Sequence, residues 1–226
     1  MSINNKILSL IIPLISSVSF FANADGLNLK PYMEGSVGWF KSNDVKVENI
    51  LYDQGPVTGS DITTSFASTG NYGVEFGLKD FLVSGLRVGI SETYVSQGGK
   101  TSGTITSDIS GTNVTRSENE KNPSTSTNYA MFNTYYDFYN KITPITPYLG
   151  IGVGAANNSA LTNSVFAGTL MAGANYTVYQ NLYVGLKSVF YYVDQSTVND
   201  ESCAIGCNTL STHAAFAVNG VVGYQF

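Results

Sequence analysis

The sequence predicts an all-β protein, an eight-stranded antiparallel up-and-down transmembrane β-barrel. Three observations carry that expectation. Eight segments alternate apolar with small or polar residues at period two, the signature of strands whose successive side chains face opposite ways. The spacers between them are short and long in near-strict turn, as in a meander with tight turns at one end and loops at the other. The composition favours strands and close backbone contact, with 15 Tyr, 12 Phe and 23 Gly among 226 residues and only 12% charged.

Residues 1–24, MSINNKILSLIIPLISSVSFFANA, combine Lys6, an apolar run from Ile7 to Phe21 and the small-x-small end Ala22-Asn23-Ala24, and read as a cleaved signal peptide. The barrel domain is then residues 25–226. Beyond the leader, no apolar run is long enough for a membrane-spanning helix. Of 11 Lys and Arg, Lys6 leaves with the leader, and the other ten face 16 Asp and Glu. A net charge near −6 argues against nucleic acid and against an anionic lipid surface as partner.

Segment one, PYMEGSVGWF, sets Met33, Val37 and Trp39 in one phase and Glu34, Ser36 and Gly38 in the other. Segment two, NYGVEFGLK, sets Tyr72, Val74, Phe76 and Leu78 against Gly73, Glu75, Gly77 and Lys79. In the third, Leu86, Val88 and Ile90 oppose Arg87, Gly89 and Ser91, and Glu92 breaks the phase, at a bulge or at emergence from the membrane. The fourth, NYAMFNTYYDF, places Ala130, Phe132, Tyr136 and Phe138 opposite Tyr129, Asn133, Tyr135 and Asp137. The fifth, ITPYLGIGVGAA, alternates Leu149, Ile151 and Val153 with Gly150, Gly152 and Gly154. Glycines spaced two and two lack the dinucleotide fingerprint, whose third glycine stands three residues after the second. The sixth sets Phe166, Leu170, Ala172, Ala174 and Tyr176 against Thr169, Gly173, Asn175 and Thr177. The seventh sets Leu182, Val184, Leu186 and Phe190 against Tyr183, Gly185, Lys187 and Tyr191. The eighth sets Phe216, Val218, Val222, Tyr224 and Phe226 against Ala217, Asn219, Gly223 and Gln225.

Alternation alone would suit a soluble barrel, so the content of the two phases decides. One phase holds almost only Leu, Val, Ile, Phe, Ala and Tyr; the other holds Glu34, Glu75, Lys79, Arg87, Asp137 and Lys187 among glycines and small polar residues. Strands in lipid must satisfy every backbone group within a closed sheet, and eight strands enclose a space that side chains just fill. Leu149, Ile151 and Val153 then face acyl chains, while the glycines beside them leave room for Tyr135, Tyr183 and Tyr191. The three acids and three bases are expected to pair as a lumen charge network, Glu75 and Lys79 being coupled, because an unpaired charge in a narrow interior is costly. For Glu34 and Asp137 the alternative is a hydrated place at the rim. Aromatic residues at segment ends (Tyr32, Trp39, Phe40, Tyr72, Phe81, Tyr136, Tyr139, Tyr148, Tyr179 and Tyr192) suit two interfacial girdles.

The stretch AMFNTYYDFYNKITPITPYLGIGVGAA resembles the central strand-turn-strand of outer-membrane β-barrel surface proteins of Gram-negative bacteria, the opacity-like and OmpA/OmpX-like group that includes surface antigens. The final AVNGVVGYQF resembles the assembly signal read by the barrel-insertion machinery, carried by Val218, Val222, Tyr224 and Phe226. The resemblance implies an outer-membrane location, with outer-membrane lipid and that machinery as partners.

Function is less directly written. His213, in LSTHAAF, is the only histidine. The deacylase-like His-x-Ser pairing is absent, Ala215 standing where the serine would be, so no catalytic residue is assigned and no enzyme is expected. Cys203 and Cys207, in CAIGC, are expected to form a disulfide in an exported chain, since a zinc site would need four ligands. No cofactor is implied. Residues 41–69, 97–127 and 194–212 are long, polar and hydroxyl-rich, and are expected to be loops that meet a host or surface ligand. The leading expectation is a structural, adhesive or antigenic surface protein. The alternative is a small porin-like channel for ions or small solutes.

Overall fold

The computed structural model describes residues 30–48, 57–109, 112–139, 142–158, 164–194, 196–197, 209–210 and 213–226. Residues 1–24, expected to be a signal peptide, and Cys203 and Cys207 lie outside the described residues. Twelve strands are described: β1 (Lys30–Ser42), β2 (Val45–Glu48), β3 (Val57–Phe66), β4 (Thr69–Lys79), β5 (Leu86–Ile109), β6 (Thr112–Asp137), β7 (Ile145–Asn158), β8 (Val165–Tyr179), β9 (Leu182–Val193), β10 (Ser196–Thr197), β11 (Thr209–Leu210) and β12 (His213–Gln225).

Eight of these close on themselves, in the order β1, β4, β5, β6, β7, β8, β9, β12 and back to β1, with every neighbouring pair antiparallel. They correspond to the eight alternating segments of the sequence. Following paired residues once around the ring leads from Tyr32 through Gly77, Gly89, Asn133, Gly152, Thr169, Tyr191 and Ala215 to Ser42, ten residues further along β1. A stagger of that size in eight strands requires a strand tilt of roughly 40°.

The period-two pattern decides which side chains face outward. Odd positions of β1 and β7 and even positions of β4, β6, β8, β9 and β12 put Val37, Leu149, Ile151, Val153, Leu170, Leu186 and Val222 on the outside, exposed to the surroundings. Leu186 is 65% exposed and Ile151 61%, which is tenable only where the surroundings are hydrocarbon. The inward phase fills the lumen by pairing large with absent side chains. Tyr135 lies opposite Gly150, Tyr148 opposite Gly173 and Tyr183 opposite Gly223, and a Cβ on any of the three glycines would collide with the facing ring.

At one end the connections are short. The β4–β5 turn holds Asp80 and Leu82 in the left-handed region (φ 55° and 64°), and Asp80 Oδ1 accepts from the Gly85 amide at 2.9 Å. The β8–β9 turn is only Gln180 and Asn181. At the other end strands continue past the ring. The hairpin of β5 and β6 is paired on from Gln97↔Thr125 to Ile109↔Thr112, β3 pairs with β5 from Phe66↔Gly99 to Val57↔Ser107, and β2, β11 and β10 follow in the same sheet.

Two expectations are corrected here. Residues 97–127 are not a loop over their described length but the outer half of a β-hairpin, and 41–69 contains β2 and β3. The Ser- and Thr-rich composition that suggests loops is also compatible with a sheet solvated on both faces. Glu92 is not at a bulge: it pairs regularly with Val74 and Ala130 and continues the outward row, and the register shift falls between Gln97 and Gly99.

Candidate functional site

The lumen has two layers of different chemistry. Near the turn end, Arg87 on β5 is wholly buried, with Asp137 Oδ1 at 3.2 Å and Glu34 Oε2 at 3.6 Å. Its guanidinium carbon lies 4.1 Å from the centroid of Tyr135, 4.7 Å from that of Tyr148 and 5.4 Å from that of Tyr32, so three rings surround the cation. Lys187 on β9 donates to Glu34 and stands 3.6 Å from Glu75. Glu75 accepts from Tyr32, from Tyr135 at 2.6 Å and from the Asn133 amide at 3.0 Å. Tyr183 donates to Glu34 at 3.2 Å.

All six charged residues named from the sequence face the lumen, and each is at most 9% exposed, Glu34 and Asp137 included. Five share ion pairs. Lys79 is the exception. Among the described residues no carboxylate lies within 4.0 Å of it, and its ammonium instead sits 3.8 Å from the centroid of Tyr183. The direct Glu75–Lys79 pairing expected from the sequence is not formed: four residues of one strand set the two about 13 Å apart along β4, and Lys187 from β9 stands beside Glu75 instead.

Toward the loop end the same inward phase turns apolar. Phe40, Tyr129 and Tyr191, from β1, β6 and β9, meet with ring centroids 4.6 to 6.0 Å apart. Val95, Met131, Met171, Val189 and Val193 pack around them in one buried cluster. Above it, Ser42 donates to Gln97 at 3.1 Å and Gln97 to the Ala67 carbonyl at 3.1 Å, tying β1 to β5 across the rim.

Of this plug, sequence reasoning named only Tyr191 as a lumen filler, and it misplaced three aromatics: Tyr32, Phe40 and Tyr148 are interior, not girdle residues. Their phase was the available signal, since Tyr32 and Phe40 share parity with Glu34, and Tyr148 with Gly150. Of the other aromatics assigned to girdles, Trp39, Tyr72, Tyr136, Tyr139, Tyr179 and Tyr192 are exposed. Of the C-terminal residues, Val218, Val222, Tyr224 and Phe226 all face outward; Tyr224 and Phe226 stack edge to face at 5.2 Å, and the Phe226 amide donates to Pro31 at 2.9 Å. His213 opens β12 opposite Val193.

No protein-family model matches the sequence, and no curated protein matches it. Solved structures do. Neisserial surface protein A aligns over 88% of this chain and 97% of its own, at 14% identity and a TM-score of 0.52. OprG, an outer membrane protein from Pseudomonas aeruginosa, aligns over 87% and 95%, at 12% identity and a TM-score of 0.54. The outer membrane protein AlkL aligns over 91% and 94%, at 16% identity and a TM-score of 0.54. This is the outer-membrane β-barrel fold.

Outer-membrane barrels set their short turns in the periplasm and their long connections outside the cell. In that orientation the charged layer lies toward the periplasm, the aromatic plug toward the outer leaflet, and the sheet of β2, β3, β10, β11 and the outer halves of β5 and β6 stands clear of the membrane. A transmembrane strand needs about 9–11 residues, whereas β5 runs for 24 and β6 for 26.

Proposed function

We propose that this outer-membrane barrel is a surface interaction protein, adhesive or antigenic, whose barrel anchors and whose outer sheet binds, and that it is neither a catalyst nor an open channel. The observation that carries the reading is the doubly filled lumen: a neutral charge network below and an aromatic plug above, with a cavity of about 20 Å³ between them. A conducting pore needs a continuous water path, and both layers occupy it. The segments 41–69, 97–127 and 194–212 are then the surface offered to a host or neighbouring cell.

Conductance of the refolded protein in a planar lipid bilayer tests the closed lumen. A folded, electrically silent barrel is the expected result, and reproducible unitary steps would replace the reading with the porin-like one. Removing residues 99–122 should lower adherence of expressing cells to a host-cell monolayer and leave the heat-dependent gel shift of the folded barrel unchanged. Outer-membrane lipid and the assembly machinery are the remaining proposed partners. Val218, Val222, Tyr224 and Phe226 serve as the signal: removing Phe226 should reduce the amount of folded barrel in the membrane while export across the inner membrane continues.

A further inference from the structure

The outer half of β6 is bonded on one side only. From Thr127 to Asp137 the strand pairs with both β5 and β7. β7 ends at Asn158, opposite Thr127, whereas pairing with β5 runs on to Thr112. Among the described residues no strand pairs with the other side of Thr112–Asn122, eleven residues in unbroken register on β5. Backbone N–H and C=O groups point by turns to the two sides of a strand, so this side presents a row of donors and acceptors to any extended chain that lies along it. Natural sheets shorten or charge such edges to keep them from pairing. The far edge of the same outer sheet is short, β10 being two residues long. The β6 edge is long, and its charges, Arg116, Glu118, Glu120 and Lys121, are of both signs.

We propose that the β6 edge binds the β6 edge of a second copy of this chain, antiparallel and centred on Ser117, so that the two outer sheets become one. The order of the charges selects this occupant. With a two-fold axis at Ser117, Arg116 of each copy stands opposite Glu118 of the other, Glu120 opposite Val114 and Lys121 opposite Asn113. Two pairs of opposite charge form and no like charges meet, which is the favourable cross-strand arrangement. Moving the axis by one residue puts Arg116 opposite Arg116, or Glu118 opposite Glu118, and like charges directly opposite are unfavourable. The inference rests on the reading of the outer sheet as the binding surface, and names its partner. Antiparallel pairing also fixes where that partner sits. Two copies in one membrane run β6 in the same direction, so the second copy belongs to a facing membrane, and the contact is an adhesion between like cells.

Clustering of lipid vesicles that carry the refolded protein, read by light scattering, tests the pairing, and the heat-dependent gel shift shows that each variant is folded. Wild-type vesicles should cluster. Arg116→Glu and Glu118→Arg each set like charges opposite one another at both places, and each should weaken clustering about tenfold or more. Vesicles of one variant mixed with vesicles of the other regain both opposite pairs and should cluster as the wild type does, and so should the double variant alone. A defect of folding would not be cured by mixing. Wild-type vesicles that stay dispersed, single variants that cluster like the wild type, or a mixture that stays dispersed would each overturn the self-pairing. The surface reading is then judged apart from it: adherence of expressing cells to a host-cell monolayer that falls on removal of residues 99–122 puts a foreign ligand on this sheet, and adherence that does not fall removes that reading as well.

Discussion

The periplasmic and outer halves of the lumen share one wall and one stagger, yet each is filled by a different physics. The lower half uses Arg87, Lys187, Glu34, Glu75 and Asp137, groups that are costly to bury and tolerable only when each charge finds its counterpart and each oxygen its donor. The upper half uses Phe40, Tyr129, Tyr191 and aliphatic neighbours, whose attraction is additive and indifferent to partner identity. The lower layer therefore behaves as one unit that fails when any member is removed. The upper layer loses stability in proportion to the volume taken away.

That contrast can be broken at its strongest point with Arg87→Ala. Glu34 and Asp137 would be left buried beside a missing cation, and the loss should be about 3–5 kcal/mol, measured by urea unfolding in lipid vesicles. In the plug, Phe40→Ala should cost about 3 kcal/mol through its cavity, and Phe40→Leu should recover most of it, a tolerance that no substitution of Arg87 should match. Double-mutant cycles sharpen the contrast within the charged layer. Glu34→Gln with Lys187→Met should show a coupling of about 1–3 kcal/mol, whereas Glu75→Gln with Lys79→Met should be additive within about 0.5 kcal/mol, since Lys79 rests on Tyr183 and not on Glu75.

The smallest effect lies outside the lumen, at Asp80. Burial would raise its carboxyl, but the Gly85 amide, Lys30 at 2.7 Å and Tyr139 at 3.1 Å outweigh burial and hold it below the ordinary carboxylate range. A depressed pKa contributes stability that is fully present above the unfolded value of about 3.9 and is lost as pH falls through the lower folded value. The thermal stabilities of wild type and Asp80→Asn should therefore differ at neutral pH and converge near about pH 2, and a gap that persists in acid would remove the carboxylate from the turn's support.

The alternation in NYGVEFGLK and ITPYLGIGVGAA made the strands, their faces and the closed ring legible, because a side-chain period of two in lipid leaves little else open. What stayed hidden depends on partners far apart in sequence. That Lys187 reaches Glu75 is set by the stagger that brings β9 toward β4, which no local pattern encodes, although the four-residue spacing along β4 already keeps Lys79 from Glu75. Tyr32, Phe40 and Tyr148 stand near strand ends, where a girdle is expected, but parity governs and turns them inward. The outer half of the β5–β6 hairpin escaped because its Thr- and Ser-rich sequence carries little apolar alternation to mark a phase.

The seam between β1 and β12 sets the timetable of folding. It places Tyr32 beside Gln225 and Ser42 beside Ala215, joining the two ends of the described chain, so this row of hydrogen bonds cannot form until the last strand has been made. A closure that distant in sequence is slow, and until it happens β1 and β12 are open edges with outward apolar side chains. The interval before closure, and not the finished barrel, is when this protein is most exposed to aggregation.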